Sequence, residues 1–163
     1  VGGGWLEVAE HLLAKAGAAP NVRDARGLTP LHLACRRGLP SEAALLLRSG
    51  ADIKARDNGG FTPLCHAVEK GHLSIIDLLF QHAKKTGRPP SLLFEGRGGG
   101  GGQPVAGWNG NTPLHLAARA GRPALLARLL GGEPGAPALA DARNFYGMTP
   151  AHLAVRSGNG AAL

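Results

Sequence analysis

The chain has 163 residues, of which 44% are hydrophobic and only 4% aromatic, and it carries a formal net charge of +7. That apolar fraction can build a core, and the scarcity of aromatics means a core of Leu and Ala. Two cysteines exclude a disulfide framework and no apolar run approaches a membrane span, so the chain is expected to be intracellular, cytoplasmic or nuclear.

Gly4 to Leu13 opens the chain as an apolar, helix-spaced stretch. The first strong motif is Thr29-Pro30-Leu31-His32, and it returns as Thr62-Pro63-Leu64-Cys65, Thr112-Pro113-Leu114-His115 and Thr149-Pro150-Ala151-His152. The spacings between the threonines are 33, 50 and 37 residues. They read as one unit repeated, with insertions in the later copies. Each copy has a glycine two residues before the threonine (Gly27, Gly60, Gly110, Gly147) and another eight after the proline (Gly38, Gly71, Gly121, Gly158). Thr suits the N-cap, Pro the first helical position, and the later Gly the left-handed residue that ends a helix. The frame therefore predicts a helix of about two turns, too short to persist alone.

A second apolar stretch follows in each unit: Ala43 to Leu47, then Ile75, Ile76, Leu78 and Leu79, then Leu125, Leu126, Leu129 and Leu130. These spacings suit a second helix. Neither helix of such a pair can bury its apolar face without a neighbouring unit, so the unit must repeat. Between the second and third full copies lies a Gly/Pro-rich insert, residues 83–107, with Pro89-Pro90, Leu92-Leu93-Phe94 and the run Gly98 to Gly102. No Lys-Ser or Lys-Thr follows the glycines and no strand precedes them, so the insert reads as a loop expansion and not a phosphate cradle. Its three apolar residues could dock on the array or on a partner.

These residues resemble the ankyrin repeat, most closely over Asp24-Ala25-Arg26-Gly27-Leu28-Thr29-Pro30-Leu31-His32 and Gly50-Ala51-Asp52. The resemblance implies an all-α solenoid of stacked helix pairs with β-turn fingers and a concave binding face. The units would be residues 1–25 (partial, second helix), 26–58, 59–108 with the insert, 109–145 with a short insertion, and 146–163 (partial, first helix). The chain is accordingly expected to be a slice of a longer protein, exposing Leu6, Val8, Leu12 and Leu13 at one end and Leu153 and Val155 at the other.

His32, His115 and His152 share one position in their units and are expected to hydrogen-bond beside the capping threonine and the next finger, while Cys65 replaces histidine in the second copy. Cys35 and Cys65 read as small buried side chains. A metal site of both with His66 lacks Cys-x-x-Cys spacing, and no nucleophile, base and orienting acid come together, so neither a metal, a cofactor nor catalysis is expected. The structural motif thus comprises Thr29, Pro30, His32, Thr62, Pro63, Thr112, Pro113, His115, Thr149, Pro150 and His152.

Binding is better supported. Phe61, Trp108, Phe145 and Tyr146 fall in the finger turns, where large aromatics suit contact anchors. For Phe61 and Phe145, packing between fingers is the competing role. Arg36, Arg37, Lys70, Arg119 and Arg156 precede the helix-ending glycines, with Glu69 the acid among them, and Arg26 and Arg56 add charge from the fingers. Such a row favours an acidic segment of a protein partner. No small-molecule substrate is implied, and nucleic acid is disfavoured because no reader motif accompanies the charge. The alternative is a regulatory or substrate-recruiting domain of a larger enzyme, such as a kinase, ubiquitin ligase or acyltransferase.

Overall fold

Each recurring Thr-Pro pair starts a helix. The computed structural model describes residues 3–88, 93, 109–131 and 140–158. In chain order the helices are α1 (Gly3–Glu10), continued by a π-helical turn (His11–Lys15), α2 (Pro30–Arg37), α3 (Pro40–Arg48), α4 (Pro63–Lys70), α5 (Leu73–Lys85), α6 (Pro113–Arg119), α7 (Pro123–Gly131) and α8 (Pro150–Arg156). The fold is an all-α repeat solenoid, and among the described residues there is no strand.

The first helices, α2, α4, α6 and α8, are seven or eight residues long, the two turns expected. Each follows a threonine with extended backbone, such as Thr29 at φ −86° and ψ 165°. Proline occupies the next position, where its missing N–H would be unpaired in any case. The second helices α3 and α7 also begin on proline, Pro40 and Pro123. α5 runs to Lys85 with Ala83 buried, so the first three residues of the stretch read as insert are helical.

The chain divides into two compact units, residues 1–82 and 83–163. In the first, α2 packs on α4 and on α3, and α1 touches α3. Its core is Leu31, Leu45, Leu46, Leu64, Val68, Ile75, Ile76 and Leu79. Burying each such side chain contributes about 1.5–3 kcal/mol, which offsets the ordering cost of helices too short to form alone. In the second, α6 packs on α7 and α8 around Leu114, Leu116, Leu125, Leu129 and Leu153.

The helix ends follow the expectations unequally. Val8, Leu12 and Val155 are exposed, whereas Leu6 and Leu13 are half-buried. Leu153 corrects the reading, because it is only 6% exposed. α8 turns Leu153 and Ala154 inward in a unit where it packs on α6, leaving Ala151 and Val155 outward.

Candidate binding surface

Three of the finger turns are each closed by an Asx side chain. Asp24 Oδ1 accepts the N–H groups of Arg26 and Leu28, both at 2.8 Å. Asp57 Oδ1 takes those of Gly59 and Phe61, both at 2.9 Å. Asn144 Oδ1 takes those of Tyr146 and Met148, both at 3.0 Å. The short polar side chain thereby replaces the turn's missing backbone partners. Successive fingers are stitched together: Asn58 N–H donates to Arg26 O at 2.9 Å in the first unit, and Phe145 N–H to Asn109 O at 2.9 Å in the second.

At the base of the fingers, Thr29 N–H donates to His32 Nδ1 at 3.0 Å, and the Thr29 hydroxyl meets the same nitrogen at 2.9 Å. His32 Nε2 reaches Phe61 O at 3.1 Å. In the second unit Thr112 N–H donates to His115 Nδ1 at 3.1 Å, and His115 Nε2 reaches Met148 O at 2.9 Å. Burial lowers the pKa of both imidazoles, against a smaller opposing effect of the Phe61 or Met148 carbonyl. His152 is exposed and keeps its bond to Thr149 N–H at 3.2 Å.

The second copy is built differently. The Thr62 hydroxyl donates to Cys65 Sγ at 3.3 Å. The imidazole comes one residue later: His66 Nε2 lies 2.8 Å from Asp57 Oδ2, and its ring meets His32 edge-on at 5.6 Å. Cys35 and Cys65 are buried free thiols, and burial pushes Cys35 up to about 12 and raises Cys65. Among the described residues no group of His, Cys, Asp and Glu could hold a metal.

The proposed contact residues fall into several environments. Arg26, Arg37, Lys70, Arg119 and Arg156 are exposed, and Arg36 is half-buried. Arg56 is half-buried too, its Nη1 donating to Gly60 O at 3.1 Å. Phe61 is half-buried with its ring 6.0 Å from His66, so it packs at the finger base. Phe145 and Tyr146 are 55% and 67% exposed, and the Tyr146 hydroxyl donates to Asn109 Oδ1 at 3.3 Å. Arg36, Arg37, Lys70 and Phe61 belong to one unit, and Arg119, Arg156, Phe145 and Tyr146 to the other. Trp108 and most of the insert, including Leu92 and Phe94, lie outside the described residues, while Leu93 is buried.

Arg23, Lys54 and Asn21 are residues the motif reading passed over. They line a cleft with Arg56 at the finger approaches. Their signal was present, since Arg23 and Arg56, like Asn21 and Lys54, stand 33 residues apart, at the same offset before a Gly-x-Thr-Pro frame.

Residues 2–88 match the family model described as ankyrin repeats (3 copies), and residues 109–144 that of the ankyrin repeat. These matches cover well over half of the chain, which belongs to the ankyrin repeat family. A stretch of 32 residues is 66% identical to NF-kappa-B inhibitor alpha of Gallus gallus, covering 20% of this chain and 10% of the relative. A stretch of 39 residues is 56% identical to the proteins of the same name from Rattus norvegicus and Mus musculus, covering 24% of this chain and 12% of each. The likeness thus spans about a tenth of the relatives' length. Fold and family make this a protein-interaction domain, and no helix among the described residues is long and apolar enough to cross a membrane.

Proposed function

We propose that this domain holds an acidic segment of a partner protein along its finger and first-helix face, the concave face of the ankyrin architecture. One observation carries the reading: the last turns of α2, α4, α6 and α8 all end in Arg or Lys, at Arg36-Arg37, Lys70, Arg119 and Arg156. Cations there complement each helix dipole, which accounts for one charge per helix but not for a doubled one or for a net +7. A basic face raises the association rate of acidic partners and rejects basic ones. The exposed rings of Phe145 and Tyr146 supply apolar contact area in the fingers of the second unit. The relatives, named for inhibiting NF-kappa-B, support a role exerted on another molecule.

The test uses a short fluorescent peptide alternating Glu and Ser, with a Gln-for-Glu copy as control. The Glu peptide should bind the chain and the Gln copy should not. Arg37→Gln with Lys70→Gln should slow association, and added salt should shrink the difference. Equal binding of both peptides would rule the reading out.

A further inference from the structure

Between the loops that approach the first two fingers lies a cleft of about 410 Å³. Asn21, Arg23 and Thr29 line it from one loop and helix start, and Asp52, Lys54 and Arg56 line it from the next. The lining therefore contains three cations, Arg23, Lys54 and Arg56, and one carboxylate, Asp52. Asp52 has one oxygen already engaged, since its Oδ1 accepts Lys54 N–H at 2.9 Å. None of the three polar residues Asn21, Arg23 and Lys54 belongs to the row of charges at the helix ends.

The cleft is held open by its own hydrogen bonds. Asn21 Oδ1 accepts Asp52 N–H at 2.7 Å, and its Nδ2 donates to Gly50 O at 3.0 Å. One side chain thus fixes the spacing of the two walls. Arg56 is anchored by the bond from Nη1 to Gly60 O, so its guanidinium is positioned before any ligand arrives. A preorganised, half-buried guanidinium such as that of Arg56 binds a carboxylate more strongly than a freely moving one, because less side-chain entropy is lost. The backbone takes no part at the Thr29 edge, where the N–H already donates to His32. Recognition falls to side-chain cations, without the nest of amides that phosphate sites use.

We infer that this cleft is a carboxylate-binding subsite that receives an Asp or Glu side chain of the partner's acidic segment. The inference rests on the acidic-segment reading above and adds the place of the anchor and the residue type that fills it. The volume lies in the range of small-ligand pockets, enough for one acidic side chain with its flanking backbone.

The Glu/Ser peptide serves as the probe, titrated into the isotopically labelled chain. It should shift the side-chain amide signals of Asn21 and the backbone amides of Lys54 and Arg56. Arg23→Gln with Lys54→Gln changes two exposed side chains, so melting should be unaltered while the dissociation constant rises about fivefold. If that pair binds like the parent while Arg37→Gln with Lys70→Gln weakens binding, the cleft assignment is overturned and the wider reading stands. If the Gln peptide binds as well as the Glu peptide, both fall. Inorganic phosphate that shifts the same amides and displaces the peptide at equal concentration would also overturn it, by making the cleft a phosphate site.

Discussion

His32 Nε2 lies 3.1 Å from the carbonyl oxygen of Phe61, a residue 29 positions later in the chain. The carbonyl can only accept, so Nε2 carries the proton. Thr29 N–H can only donate, so Nδ1 is bare. One neutral tautomer satisfies both the cap of α2 and the base of the next finger. The same logic fixes His115 between Thr112 and Met148. Nitrogen-detected NMR should find Nε2 protonated and Nδ1 unprotonated in both rings, and the opposite tautomer in either would refute the network.

The pH dependence follows from those bonds. Burial lowers the folded pKa of His32 and His115 below the usual 6.5. The unfolded chain then takes up protons first as pH falls. The stability due to the neutral rings is complete above pH 6.5 and declines below it, down to the folded pKa values. For His32, repulsion from His66 reinforces the direction and attraction to Asp57 opposes it. Urea unfolding midpoints should fall between pH 7 and pH 5, and His32→Gln with His115→Gln should flatten that part of the profile.

Gly27 and Gly50 separate conformational strain from steric closeness. Both have positive φ, at +74° and +86°. A Cβ on Gly50 meets nothing within 4 Å, whereas one on Gly27 would lie 2.8 Å from the Asn58 backbone nitrogen. That nitrogen is held by its bond to Arg26 O. Gly50→Ala should cost about 1 kcal/mol. Gly27→Ala should cost roughly 2–4 kcal/mol, because two fingers must separate. Equal losses on chemical unfolding would contradict the close approach.

Asp57 carries a load that Asp24 does not. Both cap a finger turn, but Asp57 Oδ2 also pairs with His66, whose side chain is 10% exposed. Asp24→Ala removes two bonds at an exposed turn and should cost about 1 kcal/mol. Asp57→Ala leaves the imidazole without that partner and should cost about 2–3 kcal/mol. A double-mutant cycle with His66→Leu should return coupling of about 1 kcal/mol or more, and zero coupling would show the pair to be energetically idle.

The two thiols should be inert in the folded protein. Cys35 and Cys65 are 0% and 4% exposed, and burial disfavours both thiolates. Thiol-directed reagents at pH 8 should label neither at the rate of a free thiol, and both should react fully in denaturant. Rapid native labelling of either would mean that its helix opens locally.

Tyr146→Ala should leave melting within about 0.5 kcal/mol of the parent, because the ring is 67% exposed. If the ring is an anchor, complexes should dissociate faster with little change in association. Unaltered dissociation would confine binding to the charged residues.

The fold was legible because its determinants are local. Thr, Pro and Gly act on the dihedral angles of their own neighbours, so helix starts at Pro30, Pro63, Pro113 and Pro150 follow from the one-dimensional pattern. Burial of Leu31, Leu64 and Leu114 follows from their place in the same frame. The π-helical turn at His11–Lys15 has no comparable signature in the sequence.

The surface was only partly legible. The helix-end cations were visible because they sit at fixed offsets from the motif. Whether an aromatic in a finger packs inward or faces water was not visible, and Phe61 and Phe145 took different environments. The motif placed a histidine beside three of the four caps, but only the distance from His32 to Phe61 O shows which nitrogen of that ring holds the proton. Sequence by itself determined the repeat, its helices and its excess of positive charge, since these depend on residues close together in the chain. Tertiary structure alone decided that Arg23, Lys54 and Arg56 line one cleft and that Asp57 meets His66. The cleft depends on how loops from successive repeats are brought together, and the ion pair on how a finger turn folds back against the helix it precedes.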